Sequence, residues 1–239
     1  MKIKPIVVER QIVRPGDLLG YVEGEQSVSF MLYPDKNVYV KENRVYSSVL
    51  GVVVIEDDGI SVIPLEGFYI PKKDDLVIGT IVGIGLTSWI VDIRSPYKAV
   101  LNGSDVIEDF NPIQHDLRNY LDVGDQILAR IVSCDRTRDP VLTIKSRELG
   151  KIIDGVIVEV KPSRVPRIIG RNKSMLNILL EYSGCNIIVA QNGLVWVRCS
   201  DKERYDAVIN AIKMINDKPH MKGLTEAVKT YLQNRLGGR

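Results

Sequence analysis

Residues Lys161 to Lys173 hold the most concentrated chemistry of the chain. Over Lys161-Pro-Ser-Arg-Val-Pro-Arg-Ile-Ile-Gly-Arg-Asn-Lys173, five side chains are basic (Lys161, Arg164, Arg167, Arg171, Lys173) and none is acidic. Immediately afterwards the pattern becomes apolar at helical spacing, with Met175, Leu179 and Tyr182 on one face and Gly184 placed to end the helix. A glycine that bends the backbone, N–H groups at a helix start and several cationic side chains together make a phosphate-holding device. Gly170, Arg171, Asn172 and Lys173 form the loop, and Arg164 and Arg167 lie on its approach. The chemistry this predicts is the gripping of single-stranded RNA through its sugar–phosphate backbone. A merely solvated basic face is the alternative.

Charge distribution supports a polyanion partner. Residues 151–239 carry 15 Lys+Arg against 8 Asp+Glu, net +7, whereas residues 1–150 carry 17 against 22, net −5. Catalytic constellations are missing by comparison. The acidic pairs Asp57-Asp58 and Asp74-Asp75 fall in turn-like segments, where neighbours on the chain rarely face one site, and His115 and His220 have no evident triad partners. Cys134, Cys185 and Cys199 are odd in number, widely spaced and without a Cys-x-x-Cys pair, so they predict buried thiols, with neither a disulfide framework nor a zinc site. A non-enzymatic chain needing no cofactor and no metal is expected. No apolar run approaches the roughly 20 residues that span a bilayer, and the first residues lack a signal-peptide core, so a cytoplasmic location away from membranes is expected.

The elements that must position the loop can be read from turn signals and periodicity. Residues 1–72 hold short β-branched runs (Ile6–Val8, Val38–Val40, Val49–Ile55, Ile60–Ile63) divided by turns, with Asp58-Gly59 as a hairpin signal, and predict a small β domain with a docking or structural role. Residues 73–147 predict five strands (Leu76–Ile84, Ser88–Ile93, Lys98–Leu101, Gln126–Val132, Val141–Lys145) with a long third connection, the layout of an OB-type barrel. Within Ser88–Ile93, Trp89, Val91 and Ile93 share one face, which must be the interior, so Trp89 is expected in the core. After a linker at Arg147–Lys151, residues 151–239 predict strand, helix, loop, helix, two strands joined through Asn192-Gly193, a helix opened by the capping box Ser200-Asp-Lys-Glu203, and a last amphipathic helix over Met221–Leu236. The fold class is thus multidomain β and α+β.

Several of these segments resemble known families. Gly79-Thr-Ile-Val82, Trp89–Ile93, Leu101-Asn-Gly-Ser-Asp-Val106, Val123–Val132 and Leu142–Ser146 resemble the S1 RNA-binding domain. That family typically places an aromatic where Ile90 stands and often a His or aromatic near Asn102, so the base-stacking pair is absent. Stacking is worth about 1–3 kcal/mol per base. Loop side chains are what remains: Arg94, Tyr97 and Lys98 in the second connection, His115 and Arg118 in the long one. Since residues 74–150 carry 8 basic and 12 acidic residues, the resemblance implies a weak binder that lines and guides a strand. The element order of residues 151–239 resembles a type I KH domain (βααββα) with an extra C-terminal helix. In KH domains a Gly-x-x-Gly loop clamps about four backbone nucleotides and bases lie on an aliphatic groove, here Ile168, Ile169, Ile187 and Val189. Lys173 replaces the second glycine, adding charge while restricting backbone approach. A KH scaffold used only for packing is the alternative.

The order of β module, S1 and KH, with the words Glu9–Asp17, Gly51-Val-Val53 and Gly67-Phe-Tyr-Ile-Pro71, resembles the S1/KH cap subunits of the archaeal-type RNA exosome. The resemblance implies a non-catalytic subunit present in three copies on a hexameric ring of RNase-PH-like subunits, with the first domain docked on the ring. The cap guides RNA 3′ ends into the pore, and a zinc-ribbon sibling subunit can share mixed caps. A free-standing S1/KH RNA-binding protein, regulating translation or RNA stability, is the competing expectation.

Overall fold

Alternating burial along short strands builds the first unit. The structure, a computed structural model, describes residues 3–22, 29–33, 36–56, 59–65, 67–135, 138–218, 221 and 223–237. It divides into two compact units, residues 1–67 and 68–239. In the first, β1 (Ile3–Pro5), β2 (Ile12–Val13), β3 (Leu18–Val22), β4 (Phe30–Tyr33), β5 (Val38–Lys41), β6 (Arg44–Ser47), β7 (Gly51–Glu56) and β8 (Gly59–Pro64) form two sheets, ordered β1-β3-β6-β5-β4 and β2-β7-β8. Val38 and Val40 point inward with Leu19, Val45, Val53 and Val62, while Tyr39 and Lys41 point away. The β7–β8 hairpin closes with Glu56 opposite Gly59, as the hairpin signal predicts; Asp57 and Asp58 themselves lie outside the described residues.

The second unit begins with the barrel. Its strands are β9 (Leu76–Ile84), β10 (Ser88–Asp92), β11 (Lys98–Asn102), β12 (Gln126–Ser133) and β13 (Val141–Thr143), within a residue or two of the sequence expectation. They pair in the order β13-β11-β10-β9-β12, and β13 pairs back onto β12, which closes the barrel. Trp89, Val91 and Ile93 are fully buried inside it, and the indole Nε1 donates to the Leu121 carbonyl at 2.9 Å, so Trp89 is a core residue. Ile90 on the opposite face is exposed. The predicted linker behaves differently: Gly150–Lys151 forms β14, which adds to the barrel sheet alongside Ile127 and Leu128 of β12. An extended segment beside an open strand gains backbone hydrogen bonds by pairing, so the connection is a strand and not a tether.

The KH half follows as β15 (Val156–Glu159), a 3-10 turn at Pro162–Arg164, α1 (Val165–Ile169), α2 (Ser174–Ser183), β16 (Asn186–Val189), β17 (Leu194–Arg198), α3 (Lys202–Asp217) and α4 (Leu224–Leu236). The sheet order β15-β17-β16 is antiparallel throughout. Val158, Ile187, Val189, Val195 and Val197 face the helices, meeting Met175, Leu179, Val208 and Ile212. Their alternates Ile157, Ile188, Leu194 and Trp196 face the barrel, meeting Ile78 and Leu128. Each KH strand is therefore divided between two cores, and the two halves pack as one unit.

Local details depart from the expected pattern at three places. The buried stripe of α2 is Met175, Leu179 and Ser183, with Tyr182 at the margin. The N-cap of α3 is Asp201, whose carboxylate accepts from the Arg204 N–H at 2.9 Å; Ser200 only donates to Asp201, because the charged acceptor is the better match to the helix start. Cys185 and Cys199 form a disulfide, contrary to the expectation of free thiols. They flank the β16–β17 hairpin, where Asn186 lies opposite Arg198, so strand pairing brings them together in a way linear spacing does not announce. Cys134 is a free, partly buried thiol.

Candidate nucleic-acid interface

Two prolines and a glycine shape the basic segment. Pro162 opens the 3-10 turn and Pro166 sits in the first turn of α1, positions where a missing N–H costs nothing. The five-residue α1 stops at Gly170, whose φ of 74° and ψ of 168° are closed to other residues. A Cβ there would sit 2.7 Å from the Met175 nitrogen and 2.8 Å from the Ser174 hydroxyl. Asn172 (φ 51°) and Lys173 (φ 62°, ψ 19°) then both take left-handed conformations, so the lysine adopts the backbone geometry that a glycine takes freely.

That bend leads directly into α2, whose N-cap residue Lys173 makes no side-chain cap and whose first turn holds no acidic residue. The helix start thus offers N–H groups and the positive end of its dipole to an anion. Arg167, Gly170, Arg171, Asn172 and Lys173 come together around the bend, the long side chains exposed, and none of Arg164, Arg167, Arg171 and Lys173 is in a salt bridge among the described residues. Arg164 is partly buried at the base, and its Nε is a buried donor with no hydrogen-bond partner. Four cations beside uncapped amides can hold successive phosphates of one strand.

The barrel residues named from the sequence divide. Arg94, itself left-handed (φ 55°), donates its backbone N–H to Asp92 and forms a 2.6 Å ion pair with Glu159 at the end of β15, so it ties the barrel to the KH half. Lys98 pairs with Asp92 at 3.1 Å. Partial burial of Asp92 works against ionisation, but the Arg94 N–H and Lys98 outweigh it and hold the carboxyl below its ordinary range. Tyr97 is exposed, its backbone N–H fixed by the Ser95 hydroxyl. Arg118 is exposed on a 3-10 turn capped by Asp116, and no hydrogen bond or ion pair joins it to the loop. Arg94 and the Gly170–Lys173 loop are held in one unit; Arg118 stands apart on the long connection.

The expected base groove changes composition. Ile168 is fully buried in the helix-side core and cannot meet a base. Ile169, Ile187 and Val189 instead line a cleft with Leu176 and Ile188, and barrel residues form its other wall. Sequence reasoning also missed Asn192. Its side chain is buried between the halves, donating to the Ile78 and Ile93 carbonyls at 2.7 and 2.9 Å and accepting from the Ile78 N–H at 3.3 Å, while the Gln191 N–H donates to the Leu76 carbonyl. The legible signal was the unbroken apolar runs Ile187-Ile188-Val189 and Leu194-Val195-Trp196-Val197, which mark strands covered on both faces.

Acidic and histidine residues take structural roles. Asp75 accepts from the Tyr69 hydroxyl at 2.7 Å and the Lys72 N–H, and burial first, then this bond, pushes the Tyr69 hydroxyl far above its ordinary value. His115 Nδ1 accepts from the Asn111 N–H and its ring stacks on Phe110. His220 lies outside the described residues. Among the described residues no group of His, Cys, Asp and Glu could hold a metal ion, and no helix is long and apolar enough to cross a membrane.

Comparison with known proteins agrees with this geometry. Family models match residues 10–66 (Exosome RNA binding protein RRP4 N-terminal domain), 69–151 (Exosome complex component RRP40, S1 domain) and 155–203 (KH domain). The chain is 56% identical to the exosome complex component Rrp4 of Thermosphaera aggregans, over 100% of this chain and 97% of that one. It is 41% identical to Rrp4 of Saccharolobus solfataricus, over 99% and 93%. A crystal structure described as a candidate exosome complex RNA-binding protein superposes with a TM-score of 0.67 at 40% identity, covering 71% of this chain and 97% of that one.

Proposed function

The chain belongs to the Rrp4 family of exosome complex components, and from that premise we propose that it is a non-catalytic, RNA-binding cap of the exosome. It captures single-stranded RNA and passes 3′ ends to a separate degradation core for 3′-to-5′ degradation. The observation that carries this reading is the bend at Gly170–Lys173, where four cations that form no salt bridge among the described residues lie beside an uncapped helix start. Three copies cap a hexameric ring of RNase-PH-like subunits in the cytoplasm, alone or mixed with a zinc-ribbon sibling. The first unit supplies the docking surface. Its edge strand β4 exposes Phe30, Met31 and Leu32, the kind of edge a partner's strand or loop completes. RNA contacts are assigned to Arg164, Arg167, Gly170, Arg171, Asn172 and Lys173, with Arg94, Tyr97, Lys98 and Arg118 guiding the strand along the barrel.

The test has two arms. Mixed with RNase-PH-like ring subunits, the chain is expected to co-elute at a mass of three caps per ring; a chain that stays monodisperse beside the ring refutes the cap assignment and favours a free-standing RNA binder. The triple variant Arg167→Ala, Arg171→Ala, Lys173→Ala is expected to weaken RNA binding and to flatten its dependence on log salt by about 0.7 per lost phosphate contact. Unchanged affinity shows that the bend is not the grip.

A further inference from the structure

The outer face of the larger sheet of the first unit carries side chains that its core does not use. Alternation along the strands turns Val38, Val40 and Val45 inward, so Tyr39 of β5 and its register partner Tyr46 of β6 point outward, as do Phe30 of β4 and Tyr21 of β3. These four aromatics come from four neighbouring strands. Tyr39 and Tyr46 stack with their ring centroids 5.3 Å apart, and Phe30 lies 6.1 Å from Tyr39, tilted by 37°. Cross-strand pairing stabilises a sheet and explains the Tyr39–Tyr46 stack. It does not explain the two ends of the row, where Phe30 is 65% exposed and Tyr21 43%. Aromatic surface left in water next to a ring stack marks a place where something binds.

Charge selects the partner. Lys41 stands opposite both Phe30 and Arg44, Arg44 stands opposite Tyr21, and Lys4 stands opposite Tyr21 from the other side, so each exposed ring has a cation beside it. Among the described residues none of the three cations forms a salt bridge, and no outward position of these five strands is acidic. Glu42, in the β5–β6 turn, acts on Arg44 only through its charge. A hydrogen bond with Tyr46 raises the Arg44 pKa above its ordinary value and keeps the guanidinium next to the rings. Aromatic faces interleaved with unpaired cations match a single nucleic-acid strand, whose bases stack on the rings while its phosphates meet the charges.

We infer that the outward face of the β1-β3-β6-β5-β4 sheet is a second RNA site, a platform on which successive bases of one strand stack against the rings while Lys4, Lys41 and Arg44 hold the adjoining phosphates. The inference rests on the proposed function for its ligand, single-stranded RNA, and not for the place where the bend holds it. It gives the first unit a contact with RNA in addition to docking. The edge of β4 remains the docking surface, and Phe30 stands where edge and face meet.

Oligoadenylate of about 30 nucleotides, roughly twice the longest site that a small β fold covers, titrated against the full chain, tests it. Phe30→Leu with Tyr39→Leu keeps apolar bulk on the sheet and removes two ring faces; it is expected to lower affinity about tenfold, the value of roughly one stacked base, with the salt slope unchanged. Lys41→Gln with Arg44→Gln is expected to weaken binding and to flatten the salt slope by about 0.7 per lost phosphate contact. Thiouridine-labelled RNA photocrosslinked to the unaltered protein is expected to mark peptides of β4, β5 or β6. Unchanged affinity in Phe30→Leu/Tyr39→Leu, or crosslinks that never fall in the first unit, overturns the platform. So does a variant that binds RNA normally but no longer co-elutes with RNase-PH-like ring subunits, because the face is then a protein interface. The triple variant of the bend separates the two readings: binding that survives in it and falls about tenfold when Phe30→Leu and Tyr39→Leu are added supports the platform, and a triple variant that binds like the unaltered chain refutes the bend alone.

Discussion

Replacing Lys173 isolates the backbone contribution of the bend from its charge. At φ 62° and ψ 19° the lysine holds a left-handed conformation that costs a residue with a Cβ about 1–2 kcal/mol. Glycine escapes that cost but loses about 0.5–1 kcal/mol through the greater freedom of its unfolded chain. Alanine removes the charge and keeps the strain; glycine removes both. Lys173→Gly is therefore expected to be more stable than Lys173→Ala by about 0.5–1 kcal/mol, a difference of about 1–4 °C in melting temperature for a unit of this size. Thermal melts of the two variants read this directly, and salt titrations of RNA binding read the rest. Both variants lose one cation, so both salt slopes fall by about 0.7. At high salt, where charge counts least, glycine is expected to bind more tightly than alanine because the backbone can approach the phosphate. Should alanine be as stable as glycine, the lysine is not left-handed, and the account of the bend as a strained Gly-x-x-Gly loop fails.

Asn192→Ala leaves the Ile78 N–H and the Ile78 and Ile93 carbonyls without their buried partner, and an unpaired buried polar group costs about 1–3 kcal/mol, so a clear drop in melting temperature is expected; a change within error would mean that water replaces the amide. Reduction of the Cys185–Cys199 disulfide, which spans 14 residues, is expected to cost about 3 kcal/mol by the loop-closure argument, seen as a lower melting temperature in reductant that Cys185→Ser/Cys199→Ser reproduces and that reductant lowers no further. Asp125 is held below the ordinary carboxylate range, first by its hydrogen bond from Lys151 and then by the Asp122 N–H, so it stabilises the folded state above its unfolded value and that contribution disappears as pH falls through the depressed one. Acid melts of Asp125→Asn should accordingly converge on those of the unaltered chain below the carboxylate range and diverge above it. The purified protein, given labelled RNA with phosphate or Mg²⁺, is expected to leave the RNA at full length; shortening would contradict a non-catalytic role.

Where a residue's environment is local, its role was legible in the sequence. Trp89 could be assigned to the core because Val91 and Ile93 share its face, and Gly170 could be placed in a bend because basic and apolar periodicities change there. The roles that were not legible depend on contacts distant along the chain. Asn192-Gly193 reads as an ordinary hairpin turn, yet the carbonyls that Asn192 meets belong to Ile78 and Ile93, more than 90 residues away. Arg94 reads as a loop cation available to RNA, and only docking of the two halves reveals Glu159 beside it. Ile168 and Ile169 are adjacent and equally apolar, and the five-residue length of α1 turns one into the core and the other toward the cleft, a choice that composition cannot express. The cysteine pair was missed because spacing arithmetic treats residues as if they lay on a line, whereas a hairpin brings its two ends together.

The two-faced KH sheet constrains how RNA can be held. Because Ile157, Ile188 and Trp196 pack toward the barrel, a strand held at the bend runs along the cleft between the two halves. The same packing makes the distance from the bend to the barrel a fixed quantity, held by Asn192, by the Arg94–Glu159 pair and by β14. Two weak sites at fixed spacing on one rigid body present a strand with a high effective concentration of the second once the first is occupied, and they do so without the entropy cost of ordering a linker. A barrel that lacks stacking aromatics and is net acidic can therefore still contribute to capture, provided its wall is reached by a strand already anchored at Gly170–Lys173. Loosening the joint should reveal this: Arg94→Ala combined with Asn192→Ala is expected to weaken RNA binding although neither residue holds a phosphate. Binding unchanged by that pair would mean that the bend captures RNA alone and that the rigid union of the two halves serves stability only.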